Sequence, residues 1–169
     1  MIKKILLFAL MLFPAIGFAQ EAQKIAYINY FDLITAMPEY KQMEDSLRKS
    51  ATELQNEMKI LEDEYTRKLT EYIAKQDSLG DAIKARRQQD INAVRERVEN
   101  FQQQAQQIHQ ELQQSLFTPI QSKAQKAINE VGAENNFLYI LSNDPQVTFY
   151  ISPNAVDATP LVKKKLGIK

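Results

Sequence analysis

The sequence predicts an α+β protein in which a long antiparallel α-helical hairpin is inserted into a small β-containing body. Three observations carry that prediction. Glycine and proline are scarce, 4 and 6 in 169 residues, and between Pro38 and about Val131 only Gly80 and Pro119 interrupt helix-forming sequence. Within that span apolar residues recur at alternating spacings of four and three, the a/d pattern of packed helices. Short runs of strand-forming residues stand at both ends of the chain.

Residues 1–19 read as a secretory signal. Lys3 and Lys4 precede an apolar run from Ile5 to Phe13, Pro14 closes it, and Gly17 and Ala19 supply the small residues a signal peptidase reads, predicting cleavage before Gln20. A membrane span needs about 20 apolar residues, and this run is much shorter. The chain has no cysteine, which excludes a cysteine-linked lipid, a disulfide framework and a cysteine metal site. The expected product is an exported, soluble single domain, residues 20–169.

The chain carries 21 basic and 21 acidic side chains; without Lys3 and Lys4 the balance is 19 to 21. No global basic field draws such a protein to nucleic acid.

The first strand is "KIAYIN", residues 24–29, with Ile25, Tyr27 and Ile28 as candidates for packing or assembly of the body. The outgoing arm starts near residue 41. Its seam is Leu47, Ala51, Leu54, Met58, Leu61 and Tyr65, continued by Leu69, Tyr72 and Leu79 after a four-residue stutter. The intervening Glu53, Glu57, Lys59, Glu62, Asp63, Glu64, Arg67 and Lys68 read as solvated faces.

At "DSLGDAIKA" Gly80 is suited to end a helix in the left-handed conformation, and Asp81 to cap the next. A turn near residue 80 also returns the strands at the two chain ends to one place, which a straight rod could not do. The returning arm passes through "NFQQQAQQIHQELQQSL", residues 100–116, which holds eight glutamines. Its apolar residues Phe101, Ala105, Ile108 and Leu112 nonetheless continue the spacing set by Ile91, Val94 and Val98. The arm is expected over 41–114 and the body over 20–40 and 115–169.

In the body, "FLYILS" (137–142) and "VTFYIS" (147–152) flank the turn residues Asn143, Asp144 and Pro145, and read as a β-hairpin. Leu138, Ile140, Val147, Phe149 and Ile151 join the packing or assembly candidates. Tyr139, Phe149 and Tyr150 read as body packing. A last helix is expected, capped by Asp157 or Thr159, with Pro160 in its first turn, Leu161, Val162 and Leu166 inward, and Gly167 at its end.

At 1.5 Å per residue, arms of roughly 40 residues reach about 60 Å from the body. The body itself buries little, and its strand edges invite another chain, so oligomerisation through it is expected.

In that order these pieces resemble the Skp (OmpH-like) periplasmic chaperones of Gram-negative bacteria. The likeness is carried by the signal, "KIAYIN" with "YFDLITAMPEY", the "ELQNEMKILEDEYTRKL" type of arm, "FLYILSNDPQVTFYIS" and the closing "DATPLVKKKL". The resemblance implies a jellyfish-shaped homotrimer whose body is a shared barrel. Its three arms would enclose a cavity for unfolded outer-membrane proteins, held without ATP. Family members are commonly basic, whereas this chain is near neutral, so membrane contact is expected to be peripheral at most. A local cluster of Lys84, Arg86 and Arg87 near the arm tip is the candidate client or membrane contact.

No catalytic constellation, cofactor site or metal site is expected. The single histidine, His109, reads as a surface residue one position past the seam, and Glu62, Asp63 and Glu64 point to different sides of a helix. The competing reading is an exported coiled-coil spacer or adaptor of the cell envelope. Ala51, Ala105, Met58 and the stutters weaken the seam and favour an adaptable arm over a stiff strut.

Overall fold

The computed structural model describes residues 24–168, so the expected leader 1–19 lies outside the described residues. Strand β1 (Lys24–Ile28) leads into a short helix α1 (Tyr30–Thr35) and the long α2 (Pro38–Lys75). A 3-10 turn (Gln76–Ser78) reverses the chain into α3 (Asp81–Glu134). Strands β2 (Phe137–Ser142) and β3 (Val156–Asp157) and helix α4 (Thr159–Leu166) complete the body.

Local chemistry sets the first boundaries. The Asn29 side chain accepts a hydrogen bond from the Asp32 amide at 3.0 Å, capping α1. Met37 is extended, and Pro38 opens α2 where its missing N–H costs nothing.

The three strands form one sheet in the order β2-β1-β3, with β1 parallel to both neighbours. Ala26 and Ile28 face inward and are buried, while Ile25 and Tyr27 face the other way. Pairing Ile25 with Tyr139 and Tyr27 with Leu141 continues that outward face across β2. Leu138 is the extra residue where the register shifts between Lys24 and Ile25.

The expected hairpin is corrected here: residues 147–152 form no strand, and the third strand is Val156–Asp157. The Asp144 carbonyl accepts the amides of Val147 (2.9 Å) and Thr148 (2.8 Å), and its carboxylate accepts that of Gln146. The Thr148 hydroxyl donates to the Ser142 carbonyl at 2.5 Å. Amides spent on this turn cannot build a ladder to β2, and a second turn from Ser152 to Ala155 delivers Val156 to the other side of β1.

The inner face of the sheet is covered by α1, the C-terminal third of α3, and α4. Leu33, Met37, Val94 and Val162 are the largest side chains removed fully from water, and three of these four lie in the body. Burying each such side chain stabilises by about 1.5–3 kcal/mol. Met43 is the buried residue of α2 and Ile120 opens the buried stretch of α3, so the core ends at that level of the hairpin.

Pro119 does not break α3. It leaves the Ser115 carbonyl without its helical donor. The hydroxyls of Ser115, Thr118 and Ser122 bond to carbonyls a turn earlier, at 2.7–3.0 Å, and burial of Ile120, Ala124 and Ala127 directly beyond holds the helix through.

Helix α4 ends at Gly167 in the left-handed conformation, φ 73°. The Asp157 carboxylate accepts the Thr159 amide at 2.9 Å, and the Thr159 hydroxyl accepts the Asn29 amide at 2.9 Å, tying the end of β1 to this helix. Val162 and Leu166 face the core, but Leu161 is exposed, contrary to expectation. Lys165 reaches Glu134 (2.5 Å) and Glu130 (3.2 Å) on α3, and these hydrogen bonds, Glu134 first, hold its ammonium pKa above the ordinary lysine value.

Candidate functional site

Helices α2 and α3 pack as an antiparallel pair. Two crossings fix their register: Glu64 with Arg97 at 2.8 Å, and Glu39 with Lys123 near the body. Residues level with each other thus have numbers that add to 161 or 162, which places the tip at 80–81. The Lys123 hydrogen bond is the main cause that holds the Glu39 carboxyl below its ordinary pKa. At Glu64 desolvation pushes upward, but the Arg97 charge and the hydrogen bonds from Lys68 and Arg97 prevail and lower it.

The tip differs in detail from expectation. Gly80 is extended (φ −69°, ψ 154°), not left-handed, and is itself the N-cap of α3; its carbonyl accepts the amides of Ile83 and Lys84. Asp81 lies in the first turn of the helix instead of capping it. The outgoing helix unwinds through Gln76–Ser78, with the Ser78 hydroxyl on the Lys75 carbonyl at 2.8 Å. Reversal is thus achieved by an uncoiled step and an extended cap.

Between the helices the expected seam residues Leu47, Leu54, Met58, Leu61, Tyr65, Leu69 and Tyr72 are half-buried. On α3, Ile91 and Val94 are buried and Val98, Phe101 and Leu112 half-buried. Two positions are corrected. Ala51 is exposed, with Ser50 on the seam instead, and Ile108 is 44% exposed while His109 takes the half-buried place.

A longer repeat explains both. From Met43 the half-buried line runs 47, 50, 54, 58, 61, 65, 69, 72, 76, and from Val94 it runs 98, 101, 105, 109, 112, 116, 120. Spacings of four, three and four recur every 11 residues, about 3.67 per turn. That is close to the 3.6 of a straight helix, so these arms need little supercoil. A heptad extrapolated from Val98 reaches Ile108, whereas the actual repeat reaches His109.

Lys84, Arg86 and Arg87 all lie within two turns of the tip. Arg86 is exposed and Lys84 and Arg87 are half-buried; among the described residues none of the three takes part in an ion pair. Arg86 and Arg87 line one groove with Arg67 and Lys68 of the outgoing helix; by the register the two basic pairs stand about two turns apart along the arm, with Glu71 and Asp90 level with each other between them. That shared groove was not singled out in the sequence, because it depends on the register of the hairpin.

The assembly candidates of the body fall on different faces. Ile28 is buried and Ile140 packs half-buried against the core. Ile25 and Leu138 are exposed, Tyr27 and Ile151 half-buried, and Val147 and Phe149 exposed, Phe149 at 96%. Tyr139 and Tyr150 are exposed too, so neither they nor Phe149 packs into the body of the single chain. The outer face of the sheet therefore presents Ile25, Tyr27, Tyr139 and Leu141, and a groove of about 500 Å³ runs between this face and the segment carrying Tyr150 and Ile151. Parallel sheets are normally covered on both faces. Among the described residues this one is covered on one.

At the foot of the arm a second groove, about 760 Å³, is lined by Tyr30, Phe31, Ile34, Tyr40, Met43 and Phe117, with Gln113 and the Asn143–Pro145 turn at its rim. Sequence reasoning missed it, since its walls come from three separate segments. Among the described residues no cluster of three or more His, Asp or Glu is placed to hold a metal, and no helix is long and apolar enough to cross a membrane.

No curated protein matches the chain. The sequence does match the family described as Outer membrane protein (OmpH-like) over residues 24–166, from the first residue of β1 to the last of α4. A match of that extent covers both the body and the whole arm, and the chain belongs to the OmpH-like family.

Proposed function

We propose that the protein is an ATP-independent holdase of the periplasm that keeps unfolded outer-membrane proteins from aggregating. The observation that carries this reading is the arm: two helices reaching about 60 Å beyond the last buried core residues, with a seam mostly half-buried and, among the described residues, no third element packed on it there. Such a hairpin buys little stability for itself and presents a large, adaptable surface. Family membership supports the same reading.

The body supplies the assembly. Its apolar sheet face, open among the described residues, stands with the exposed Val147, Phe149 and Tyr150, and exposed apolar surface grouped in this way marks protein contact sites. We take a homotrimer as the arrangement, with the arms of three copies around one cavity and the domain limits expected from the sequence. Residues 147–152 keep strand-forming side chains but join no strand ladder among the described residues, and a neighbouring copy is the natural partner. Residues 1–19 act as the export signal, no cofactor is required, and no reaction is catalysed. Lys84, Arg86 and Arg87 serve as an accessory contact at the arm tips.

Light scattering of residues 20–169 with and without a urea-unfolded outer-membrane protein tests this reading. A discrete trimer forming a soluble stoichiometric complex supports it. A dimer that leaves the client to aggregate favours an envelope spacer instead.

A further inference from the structure

The glutamine tract of α3 has a definite place. On a helix turning about 100° per residue, Gln103, Gln106, Gln110 and Gln113 fall within roughly 40° of the line through Phe117, and all four are exposed. Phe117 and Gln113 border the aromatic groove at the foot of the arm, so the amide line runs straight into it. Across the hairpin, Tyr40 of the same groove and Ala51 share one line of α2, and Ala51 stands level with Gln110 by the register that Glu64–Arg97 sets. Ala51 is exposed, and its side chain is a single methyl.

Charge sets this strip apart. Residues 41–79 carry 16 formally charged side chains, whereas from Asn100 to Leu116 Glu111 is the only one. An exposed helix face of that length is ordinarily kept soluble by charge. Here amides do so, and each amide brings two N–H donors and a carbonyl acceptor, the same groups that an unfolded backbone has left unpaired. Carboxylates and ammonium groups offer only one half of that exchange.

We propose that this strip, from Gln103 to the Phe117 groove, is a binding track for an extended, uncharged stretch of polypeptide, whose main chain bonds to the glutamine amides while one of its apolar side chains enters the groove. The inference rests on the holdase reading and gives it a location and a substrate class. The apolar end supplies affinity by burial; the amide line supplies orientation without selecting a sequence. Because Phe31, 73% exposed, forms an open wall of the groove, a bulky side chain can enter from solvent.

The test compares two triple variants of equal charge in the full mature chain. Gln106→Glu, Gln110→Glu and Gln113→Glu alter the track; Gln89→Glu, Asn100→Asp and Gln104→Glu alter exposed positions on other lines of the same helix. The affinity for a fluorescently labelled, urea-unfolded outer-membrane β-barrel protein is read by anisotropy on dilution, with helicity and assembly checked for both. At about 1 kcal/mol or less for each hydrogen bond, the track variant is expected to bind about tenfold more weakly, and the control to stay within about twofold. Equal losses in both, or none in either, overturn the track. A photo-crosslinker at position 110 is expected to capture the client, and one that joins two copies of the chain overturns it as well. If the unaltered protein fails to bind the client at all, the holdase reading has failed, and the track with it.

Discussion

The body and the arm of this molecule are stabilised in different ways. In the body, Ala26, Leu33, Ala124, Ala158 and Val162 are wholly removed from water, and side chains from both ends of the sequence meet around β1. In the arm, Ile91 and Val94 near the tip are buried, and most other seam positions are half-exposed. A body residue is thus fixed by many neighbours from distant segments. An arm residue is fixed by its helix and by one facing helix. The difference teaches that the body can carry specificity of assembly while the arm stays soft enough to meet varied partners.

Replacing one leucine in each region puts the largest strain on that contrast. Leu33→Ala removes a fully buried side chain and is expected to cost about 2–5 kcal/mol, whereas Leu61→Ala, half-buried in the arm, should cost about 1 kcal/mol or less. Urea denaturation of the two variants reads both. Equal losses would mean that the arm is packed as tightly as the body.

A smaller effect is expected where α4 stops. Gly167 is left-handed, with open space where a Cβ would stand, so Gly167→Ala meets no clash but pays the backbone cost of about 1–2 kcal/mol. Thermal unfolding should show the loss in the body. A neutral result would mean that the end of α4 is free to adopt another conformation.

Acid should loosen the arm more gently. Glu39 and Glu64 both have folded pKa values below their ordinary one. Their contribution is therefore present above the unfolded carboxylate value, about 4.3, and is lost as the pH falls through the lowered folded values. Lys165 works in the opposite sense: its raised pKa makes its contribution present at neutral pH and lost only in strong alkali. Between pH 6 and 3 the thermal midpoint should thus fall less in a Glu39→Gln, Glu64→Gln double variant than in the unaltered chain. Both bridges are partly exposed, so the difference is small. Parallel curves would show that the crossings contribute nothing.

The smallest change is at the tip. Gly80 caps α3 without a side-chain bond, its φ is ordinary, and nothing lies within 4 Å of an added Cβ. Gly80→Ser should stabilise the arm by a few tenths of a kcal/mol. A loss would point to a left-handed Gly80 in solution.

How much could be read from the sequence follows the same division. Helical periodicity is local, so the two long helices and the reversal near Gly80 were legible from spacing and from two punctuating residues. The 11-residue repeat was not, because over short windows it looks like a heptad with stutters, and the error surfaces only at Ala51 and at Ile108, next to His109. In the body "KIAYI" and "FLYILS" announced themselves by composition. "VTFYIS" carries the same signal, yet its first amides are taken by the Asp144 turn, and the short Val156–Asp157 strand has no pattern to find. Strand order and direction depend on which segments meet around β1, information that no local window contains. The tip cluster was visible as sequence; the groove it shares with Arg67 and Lys68, and the groove joining Tyr40 to Phe117, required the hairpin register.

Client holding itself offers a further check on the charge argument. With 19 basic and 21 acidic side chains after residue 19, holding should weaken only slightly between low and physiological salt. A steep dependence would return weight to Lys84, Arg86 and Arg87.

The central claim, that the arms hold the client while the body assembles, is tested most directly by the turbidity of a diluted, unfolded outer-membrane protein in the presence of either the full-length chain or one whose residues 51–110 are replaced by a short linker. That deletion is level across the hairpin and leaves Met43, Leu47, Leu116 and Ile120 in the core. The account predicts that both proteins assemble alike and that only the full-length one keeps the solution clear. Equal suppression by the armless protein would contradict it.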